Sequence, residues 1–272
     1  RESALLAPAA RDPHPIMRPS EALPIDFWSQ RPDPGSFPLR TWRRLLNLHL
    51  SRAAHNLTEY GDPCGIADFR EAVARFVGSQ RGIACNADEI IAFGGGQQIL
   101  SFITRNYARP GDIIAVENPC NQAAYCLFQH AGLNTHPVRV DDEGIVVDEL
   151  PDAARLVYIT PSHQWPLGAT LSARRRTQLM AWARAHDALI VEDDYDCDFF
   201  YEGTPLPAIR AADDENTIYC YSFAKSLGAG LRIGFAIFPG RLAGAARMQK
   251  SLIDNGLPWL EQAALAEFIA TG

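Results

Sequence analysis

A lysine that directly follows an apolar segment is the first indication of chemistry in this sequence. Lys225 comes just after the apolar run 217–221, with Ser222 before it and Arg232 after it. A lysine at the end of a core strand is costly to bury unless it is paired or used, and burial lowers its pKa and makes the amine a nucleophile. Ser222 and Arg232 supply a neutral and a charged donor, a combination that suits a phosphate. Ordinary surface lysines also occur at strand ends, so both interpretations stay open for this segment alone.

A cluster of carboxylates follows a second apolar segment. The run 188–192 leads into Asp193, Asp194, Tyr195 and Asp196. Asp193 is suited to pair with a protonated ring nitrogen, and Tyr195 to donate to a ring oxygen. A solvated acidic loop is the alternative. A metal site is not predicted, because the carboxylates come without a histidine among them.

Three glycines separate a third apolar segment from a helical one. Gly94, Gly95 and Gly96 are followed by Gln97 and Gln98. Glycines let the backbone approach a ligand closely, and the amides at the start of a helix favour an anion such as phosphate. The string matches neither a P-loop nor the Rossmann pattern, and a simple tight turn explains it equally well.

Together the three motifs match the needs of one cofactor. Chemistry with pyridoxal 5′-phosphate needs a lysine that forms a Schiff base, a carboxylate against the pyridine nitrogen and a cradle for the phosphate. Lys225 supplies the first, Asp193 the second, and the glycine string with Ser222 and Arg232 the third. The sequence therefore predicts a site for pyridoxal 5′-phosphate.

All three motifs lie where strands are predicted to end. From residue 40 onward, apolar runs alternate with helical patterns, which is typical of an α/β fold with a mostly parallel sheet covered by helices on both faces. Ligands bind such sheets beyond the carboxyl ends of the strands. The predicted strands are 89–93, 112–117, 135–140, 156–160, 188–192, 217–221 and 233–238. The predicted helices include 97–107, 172–186 with Ser172 as its N-cap, and one that begins over 259–269.

These motifs resemble fold-type I pyridoxal-phosphate enzymes, the class I and II aminotransferases. They are most similar to the aminotransferase-like domain of MocR-type transcription regulators of the GntR superfamily. The resemblance covers about residues 25 to 272. The strings that carry it are Tyr60-Gly-Asp-Pro-Cys-Gly65, Gly96-Gln97-Gln98, Tyr158-Ile-Thr-Pro-Ser-His-Gln-Trp-Pro-Leu-Gly168, Val191-Glu-Asp-Asp-Tyr-Asp196 and Ser222-Phe-Ala-Lys225.

The resemblance implies a role for each matching residue. Lys225 would be the catalytic lysine that holds the cofactor, Asp193 would pair with the pyridine nitrogen, and Tyr195 would contact the ring hydroxyl. Either His163 or Gln164 would lie beside the ring, and Tyr60 would reach the phosphate of a neighbouring subunit, which implies a homodimer. The residues around the phosphate would be Gly96, Gln97, Ser222 and Arg232.

Four positions depart from the family pattern, and two of them, Ala224 and Ala229, replace a usual serine and a usual proline near Lys225. Gly96 stands where a hydroxyl residue is usual, and Asn121 stands where an aromatic residue usually stacks on the ring. Asparagine does not replace a stacked ring, whereas Tyr125 lies one helical turn further along. Losing one donor and one stacked ring costs on the order of 1–3 kcal/mol of cofactor affinity. We therefore expect cofactor binding that is weakened but retained.

Composition limits the classes of partner. The formal charge is −7 and 47% of the residues are apolar, which favours a large core and disfavours nucleic-acid binding by this segment itself. The six cysteines form no C-x-x-C pair and predict free thiols. A run of about 18 apolar residues is absent, so no membrane span is predicted. We expect a cytoplasmic protein.

The chain is predicted to have three parts. Residues 1–40 are rich in proline and alanine and predict a linker or N-terminal arm. Residues 41–250 form the large cofactor-binding domain, and residues 251–272 begin a helix towards a C-terminal small domain that we expect to be truncated here. We expect contact with DNA through a winged helix-turn-helix domain that is not present in this chain.

Three functions fit this sequence. The first is an effector-sensing domain of a MocR-type regulator, which binds pyridoxal 5′-phosphate and an amino acid or amine. The second is a working aminotransferase in which Lys225 also moves the α-proton of the substrate. The third is a domain that has lost the cofactor and acts through dimerisation. The proline-rich linker and the Ser-His-Gln string favour the first.

Overall fold

The computed structural model describes residues 32–201 and 204–271, and its centre is one eight-stranded sheet. The strands lie side by side in the order β1-β8-β7-β6-β5-β2-β3-β4. Their bounds are β1 Ile90–Phe93, β2 Ile113–Asn118, β3 Asn134–Asp141, β4 Gly144–Ile145, β5 Ala154–Ile159, β6 Leu189–Asp193, β7 Thr217–Ser222 and β8 Gly234–Ile237.

The sheet is mixed, as predicted, with a parallel centre. Strands β3, β2, β5, β6 and β7 run parallel to one another, whereas β8 is antiparallel to both β7 and β1, and β4 is antiparallel to β3. All seven predicted strands are present within two residues of their predicted bounds. Strand β4 was not predicted, because a strand of two residues leaves no periodic pattern.

Seven α-helices cover both faces of the sheet within the described ranges. Their bounds are α1 Leu39–Leu50, α2 Ala67–Arg81, α3 Gly96–Tyr107, α4 Gln122–His130, α5 Ala173–Ala185, α6 Gly240–Ser251 and α7 Trp259–Thr271. Successive residues of β1 point to opposite faces of the sheet and pack against different helices. Ile91 and Phe93 pack with α3 and α4, whereas Ile90 and Ala92 pack with α1, α2 and α7. The predicted helices over 97–107, 172–186 and 259–269 are confirmed.

Two helices beside the site begin with the side-chain caps that their sequences favour. Ser172 accepts a hydrogen bond from the amide of Arg175 and caps α5, as predicted. Asn121 accepts one of 3.0 Å from the amide of Ala123 and caps α4. Each cap satisfies an amide that has no partner inside the helix, and so fixes where the preceding loop ends.

The predicted N-terminal linker falls largely outside the described residues. Over residues 1–40, description begins at Pro32, and α1 already begins at Leu39. At the other end, α7 packs on α1 and α2 and joins the core through buried residues such as Leu265. Among the described helices, none is long and apolar enough to cross a membrane.

Candidate cofactor site

Most of the predicted site residues lie at one edge of the sheet, because the directions of β6, β7 and β8 bring them there. The carboxyl ends of β6 and β7 deliver Asp193 and Ser222. Strand β8 runs the opposite way, so Arg232, which precedes it, reaches the same edge: Gly234 pairs with Ser222 on one side and with Phe93 on the other. The glycine turn that follows Phe93 therefore lies next to Arg232.

A cavity of about 150 Å³ lies at this edge. Seven of the nine predicted site residues line it. The cavity is therefore surrounded by the glycine turn (Gly94–Gly96), by the loop that follows β6, called the carboxylate loop here, and by the segment around Lys225 that follows β7. Those seven are Gly96, Gln97, Asp193, Tyr195, Ser222, Lys225 and Arg232. The other lining residues are Leu100, Asn121, Thr160, Trp165 and Ala224.

Lys225 lies in a turn of π-helix, Ala224–Gly228, that directly follows β7. Burial lowers the pKa of its amine, whereas attraction to Asp193 and Asp196 raises it. The net direction is downward, which leaves more of the neutral, nucleophilic amine near neutral pH than an exposed lysine has. The side chain is partly exposed to the cavity, so a ligand there can reach it.

Asp193 is held by a tyrosine of the neighbouring strand. The hydroxyl of Tyr158, which is fully buried, donates a hydrogen bond of 2.7 Å to Oδ2 of Asp193. Burial raises the pKa of Asp193 to about 6, while the bond from Tyr158 and the attraction of Lys225 act in the opposite direction. The carboxylate is thus oriented and remains mostly ionised at neutral pH, as pairing with a protonated ring nitrogen requires.

Arg232 folds over the glycine turn. Its guanidinium donates to the carbonyl of Gly94, and Arg232 itself has a left-handed backbone with φ of 52°. Gly95 has φ of 110°, and a Cβ there would lie 2.9 Å from the Arg232 guanidinium, so the turn requires glycine at this position. The first amides of α3 lack partners inside the helix, and they lie beside the arginine at a favourable place for an anion.

The buried amine of Lys250 supports the glycine turn through Asp254 and Gln98. Gln98 accepts a hydrogen bond from the amide of Gly94 and donates one of 3.1 Å to Asp254. Asp254 forms an ion pair with Lys250, whose fully buried amine also donates to the carbonyl of Pro63 at 3.1 Å. This network was not predicted, because its members are separated by up to almost 200 positions in the sequence.

A second buried network fixes the carboxylate loop. Arg81 and Asp194 form an ion pair of 2.7 Å, and Tyr219 donates to the same carboxylate at 2.8 Å. Arg81 also donates to Ser162 at 2.9 Å, which joins the loop after β6 to the loop after β5. Asp194 is therefore a structural carboxylate that leaves its neighbours Asp193 and Tyr195 facing the cavity.

Glu117 ties together the loops on the other side of the cavity. This buried carboxylate accepts hydrogen bonds from the amide and hydroxyl of Thr160 and from the amide group of Gln164. Burial raises the pKa of Glu117 to about 7, against the hydrogen bonds that lower it. Gln164 also donates to the carbonyls of Pro119 and Trp165 at 2.8 Å, so its side chain is used inside the loop.

A larger cavity of about 500 Å³ adjoins the first and shares Trp165, Tyr195 and Lys225 with it. His163 lines this outer cavity and is not among the residues that line the inner one. Trp165 lines both, packing edge-on against Tyr195 at 6.1 Å between ring centroids. Trp165 belongs to a matching string but was not predicted as a site residue, although an aromatic residue next to a predicted ring-binding site could have indicated one.

Tyr60 and Asn121 differ in their relation to the inner cavity, because Tyr60 lies outside it and Asn121 lines it. Tyr60 is 86% exposed and lines a separate surface groove with Glu59 and Trp259, so it does not join this chain's inner cavity. Asn121 lines the inner cavity, but its side chain caps α4. Tyr125, one turn later, packs into the core instead of lining either cavity.

The residues present fit pyridoxal 5′-phosphate in kind and number. The inner cavity combines an arginine, a serine and the open amides of a helix for a phosphate, one oriented carboxylate for a ring nitrogen, and one amine for an aldehyde. The positively charged donors and Asp193 come from different loops of the same edge. A simple tight turn, a solvated acidic loop and a surface lysine would not converge on one cavity in this way.

Comparison with known proteins identifies a related family. A model of the aminotransferase class I and II family matches residues 31–269. The chain is 35% identical to the uncharacterized HTH-type transcriptional regulator YdeL of Bacillus subtilis, covering 91% of this chain and 54% of the regulator. It is also 35% identical to the probable rhizopine catabolism regulatory protein MocR of Rhizobium meliloti, covering 91% of this chain and 51% of that protein. The chain thus spans about half the length of these relatives.

The fold is also that of solved aminotransferases. The kynurenine aminotransferase of Pyrococcus horikoshii, solved in complex with PMP, superposes with a TM-score of 0.83 at 29% identity. The match covers 89% of this chain and 63% of that enzyme. The predicted fold-type I architecture is therefore confirmed.

Proposed function

We propose that this chain, which belongs to the aminotransferase class I and II family, is the ligand-sensing domain of a MocR-type transcription regulator in the cytoplasm. In this proposal it binds pyridoxal 5′-phosphate and an amino acid or amine, and the full-length protein contacts DNA through a winged helix-turn-helix domain. The proposal that this chain binds the cofactor rests on the convergence of Lys225, Asp193 and Arg232 on one cavity. The proposed role in regulation rests on the similarity to transcription regulators over nine-tenths of the chain.

The residues divide the work of binding between them. Arg232, Ser222 and the amides of Gly96 and Gln97 would hold the phosphate, and Asp193 would pair with the ring nitrogen in its ionised form. Lys225 presents an amine whose lowered pKa favours covalent capture of the aldehyde. When bound, the cofactor supplies an electron sink for a captured amino compound.

The outer cavity receives the amino compound in this proposal. It opens beside Lys225, and aromatic side chains, among them Trp165 and Tyr195, form part of its wall. Tyr60, exposed on its own subunit, serves the phosphate of the partner in a homodimer. These assignments predict that dimer formation and cofactor affinity rise together.

A working aminotransferase is the second candidate. The observation that favours it is the likeness to the kynurenine aminotransferase, together with an amine and carboxylate arrangement that permits proton transfer. In that case Lys225 would also be the general base that takes the α-proton of the amino compound. Turnover and signalling share the same first step, so cofactor binding alone does not separate the two functions.

The test measures DNA binding and turnover on the same full-length protein. We expect it to bind DNA from the region upstream of its own gene, with an affinity that changes when pyridoxal 5′-phosphate and an amino compound are both present. We expect no multiple turnover of amino donors with 2-oxoglutarate. Sustained turnover without DNA binding would establish the aminotransferase instead. The Lys225→Ala protein serves as the control, because it should lose the response to the cofactor and keep the fold.

A further inference from the structure

A buried tyrosine contacts the turn that carries Lys225. Tyr221 belongs to β7, and only 1% of it is exposed. Its ring stacks on Phe235 with 5.2 Å between ring centroids and packs edge-on against Phe223 at 5.0 Å. A ring that is packed in this way keeps one direction, so the core fixes the position of the Tyr221 hydroxyl.

Two polar side chains meet the hydroxyl of Tyr221. It donates a hydrogen bond to the carboxylate of Asp198, an exposed residue of the carboxylate loop, and its oxygen lies 3.2 Å from the hydroxyl oxygen of Ser226. A phenol has one proton and an ionised carboxylate only accepts, so the proton of Tyr221 goes to Asp198 and Ser226 is left as the donor in the second contact. The buried hydroxyl therefore has a partner on each side.

Ser226 directly follows Lys225 in the turn of π-helix Ala224–Gly228, called the lysine turn here. The backbone of the lysine turn is closed by two hydrogen bonds to the carbonyl of Phe223, of 3.0 and 3.1 Å. Turns of π-helix are rare and occur frequently at functional sites. The contact with Tyr221 ties the side of this turn to the core at the residue next to Lys225.

The same contacts join the lysine turn to the carboxylate loop. That loop begins after Asp193 and contains Tyr195, which both line the inner cavity, and Asp198 lies further along it. Lys225 and Asp193 thus lie on segments that are connected through one buried phenol. The connection matters for chemistry, because an amine that is held in the direction of its target reacts far faster than one that moves freely.

We propose that Tyr221 is a positioning residue, which holds the lysine turn through Ser226 and so orients the amine of Lys225 towards the inner cavity. The inference rests on the proposed function, because it concerns the amine that captures the cofactor. In that reaction the neutral amine adds to the aldehyde carbon, and the aldehyde oxygen leaves as water. Tyr221 makes and breaks no bond in this step and sets only the place from which Lys225 reacts.

The first measurement uses the full-length protein without cofactor. Hydrogen exchange followed by mass spectrometry reports how readily the backbone amides of the lysine turn open. Tyr221→Phe keeps the ring and removes the hydroxyl, so we expect the peptide that contains the lysine turn to exchange at least about threefold faster. The peptide that contains α5 should exchange as before. Unchanged exchange of the lysine turn overturns the proposal.

The second measurement compares two forms of the cofactor on the same protein. Pyridoxal 5′-phosphate has the aldehyde that Lys225 captures, whereas pyridoxamine 5′-phosphate has an amine in its place and binds without a bond to Lys225. We expect Tyr221→Phe to weaken binding of the aldehyde form about three- to tenfold and to change binding of the amine form by less than about twofold. Equal losses for the two forms, or no loss for either, overturn the proposal.

Ser226→Ala removes the same contact from the lysine turn itself. It should reproduce both effects, and it decides the question if Tyr221→Phe does not fold. The double variant Tyr221→Phe/Ser226→Ala should be no worse than either single variant, since both substitutions remove one contact, and additive losses contradict this. Tyr107→Phe, at a buried hydroxyl without a partner in the described ranges, and Ser51→Ala, at an exposed serine, are matched controls that should change neither measurement.

Failure of the proposed function has a different signature. If the unmodified full-length protein binds neither form of the cofactor, the proposed function is contradicted, and hydrogen exchange still decides whether Tyr221 holds the lysine turn. If the unmodified protein binds both forms and Tyr221→Phe behaves like Tyr107→Phe, the inference alone is contradicted.

Discussion

Tyr158 donates a hydrogen bond of 2.7 Å to Asp193 from the neighbouring strand β5, and this contact orients the carboxylate assigned to the cofactor ring. The donor lies in the core and cannot turn away to solvent, because Tyr158 is fully buried and packs edge-on against Phe128. A fixed donor stabilises the ionised form of the carboxylate, so cofactor affinity depends on a residue behind the cavity wall.

Replacing Tyr158 tests this relationship. Tyr158→Phe removes the donor, so the pKa of Asp193 should rise further above its value of about 6. Affinity for pyridoxal 5′-phosphate at neutral pH should fall about fivefold, the equivalent of about 1 kcal/mol for one hydrogen bond. The loss of affinity on acidification should begin at higher pH than in the unmodified protein. Spectroscopic titration between pH 5 and 8 measures both quantities.

Tyr107→Phe is the matched control for that titration. The hydroxyl of Tyr107 is buried and has no hydrogen-bond partner within the described part of the chain. Its removal should leave the affinity and its pH dependence unchanged. Equal effects of the two substitutions would mean that the Tyr158 bond does not act on the site.

The glycine turn allows a gain of function. A Cβ at Gly96 would meet no heavy atom within 4 Å, so Gly96→Ser should fit and add a hydroxyl donor at the start of α3. We expect cofactor affinity to rise about three- to tenfold, as one added hydrogen bond of about 1 kcal/mol allows. Gly95→Ser should weaken binding instead, because of the φ of 110° and the close approach of Arg232. Weaker binding by Gly96→Ser would argue against a phosphate at this turn.

The buried amine of Lys250 is expected to matter for both stability and binding. Lys250→Met leaves Asp254 without its cation and loosens Gln98, which holds the amide of Gly94. We expect the free energy of unfolding to fall by about 2–4 kcal/mol, and cofactor affinity to fall with it. The double variant Lys250→Met/Asp254→Asn removes both charges and should recover part of the stability. Chemical denaturation with and without cofactor separates the two effects.

Glu117 predicts a pH dependence of stability. Its pKa in the folded protein is about 7, above the ordinary value for a glutamate, so the folded state holds a proton that the unfolded state has lost. Stability from this group is therefore present at low pH and is lost as pH rises from about 4.5 to 7. Glu117→Gln should reduce the loss between pH 5 and 8 by about 2–3 kcal/mol. Glu71→Gln, at an exposed carboxylate, should leave the pH profile unchanged.

Local sequence predicted the elements and most of the site, because both leave local patterns. The strand that ends at Asp193 and the strand before Lys225 are apolar runs with polar ends, and parallel neighbours bring such ends together. Gln97 and Gly96 were identified by their place at a helix start. The roles of these residues remain proposals, but their convergence on one cavity was predictable.

The supporting contacts were not predictable in the same way. The bond from Tyr158 to Asp193 spans 35 positions and the ion pair of Arg81 with Asp194 spans 113. No periodicity or motif connects residues so far apart, since strand order and register decide which side chains meet. The antiparallel direction of β8, which brings Arg232 to the site, has the same origin. His163, which was predicted together with Gln164 as a candidate for the place beside the ring, lines the outer cavity, where its Nδ1 lies 2.9 Å from Asp196.

Reduction of the loaded protein tests the central claim most directly. The chain contains two lysines, Lys225 at the cavity and the fully buried Lys250. Borohydride should fix pyridoxal 5′-phosphate to the lysine that captured it, and peptide mapping by mass spectrometry identifies that residue. The account predicts one stoichiometric label on Lys225, absent from Lys225→Ala. A label on Lys250, or a full-length protein that takes up no label with saturating cofactor, would contradict it.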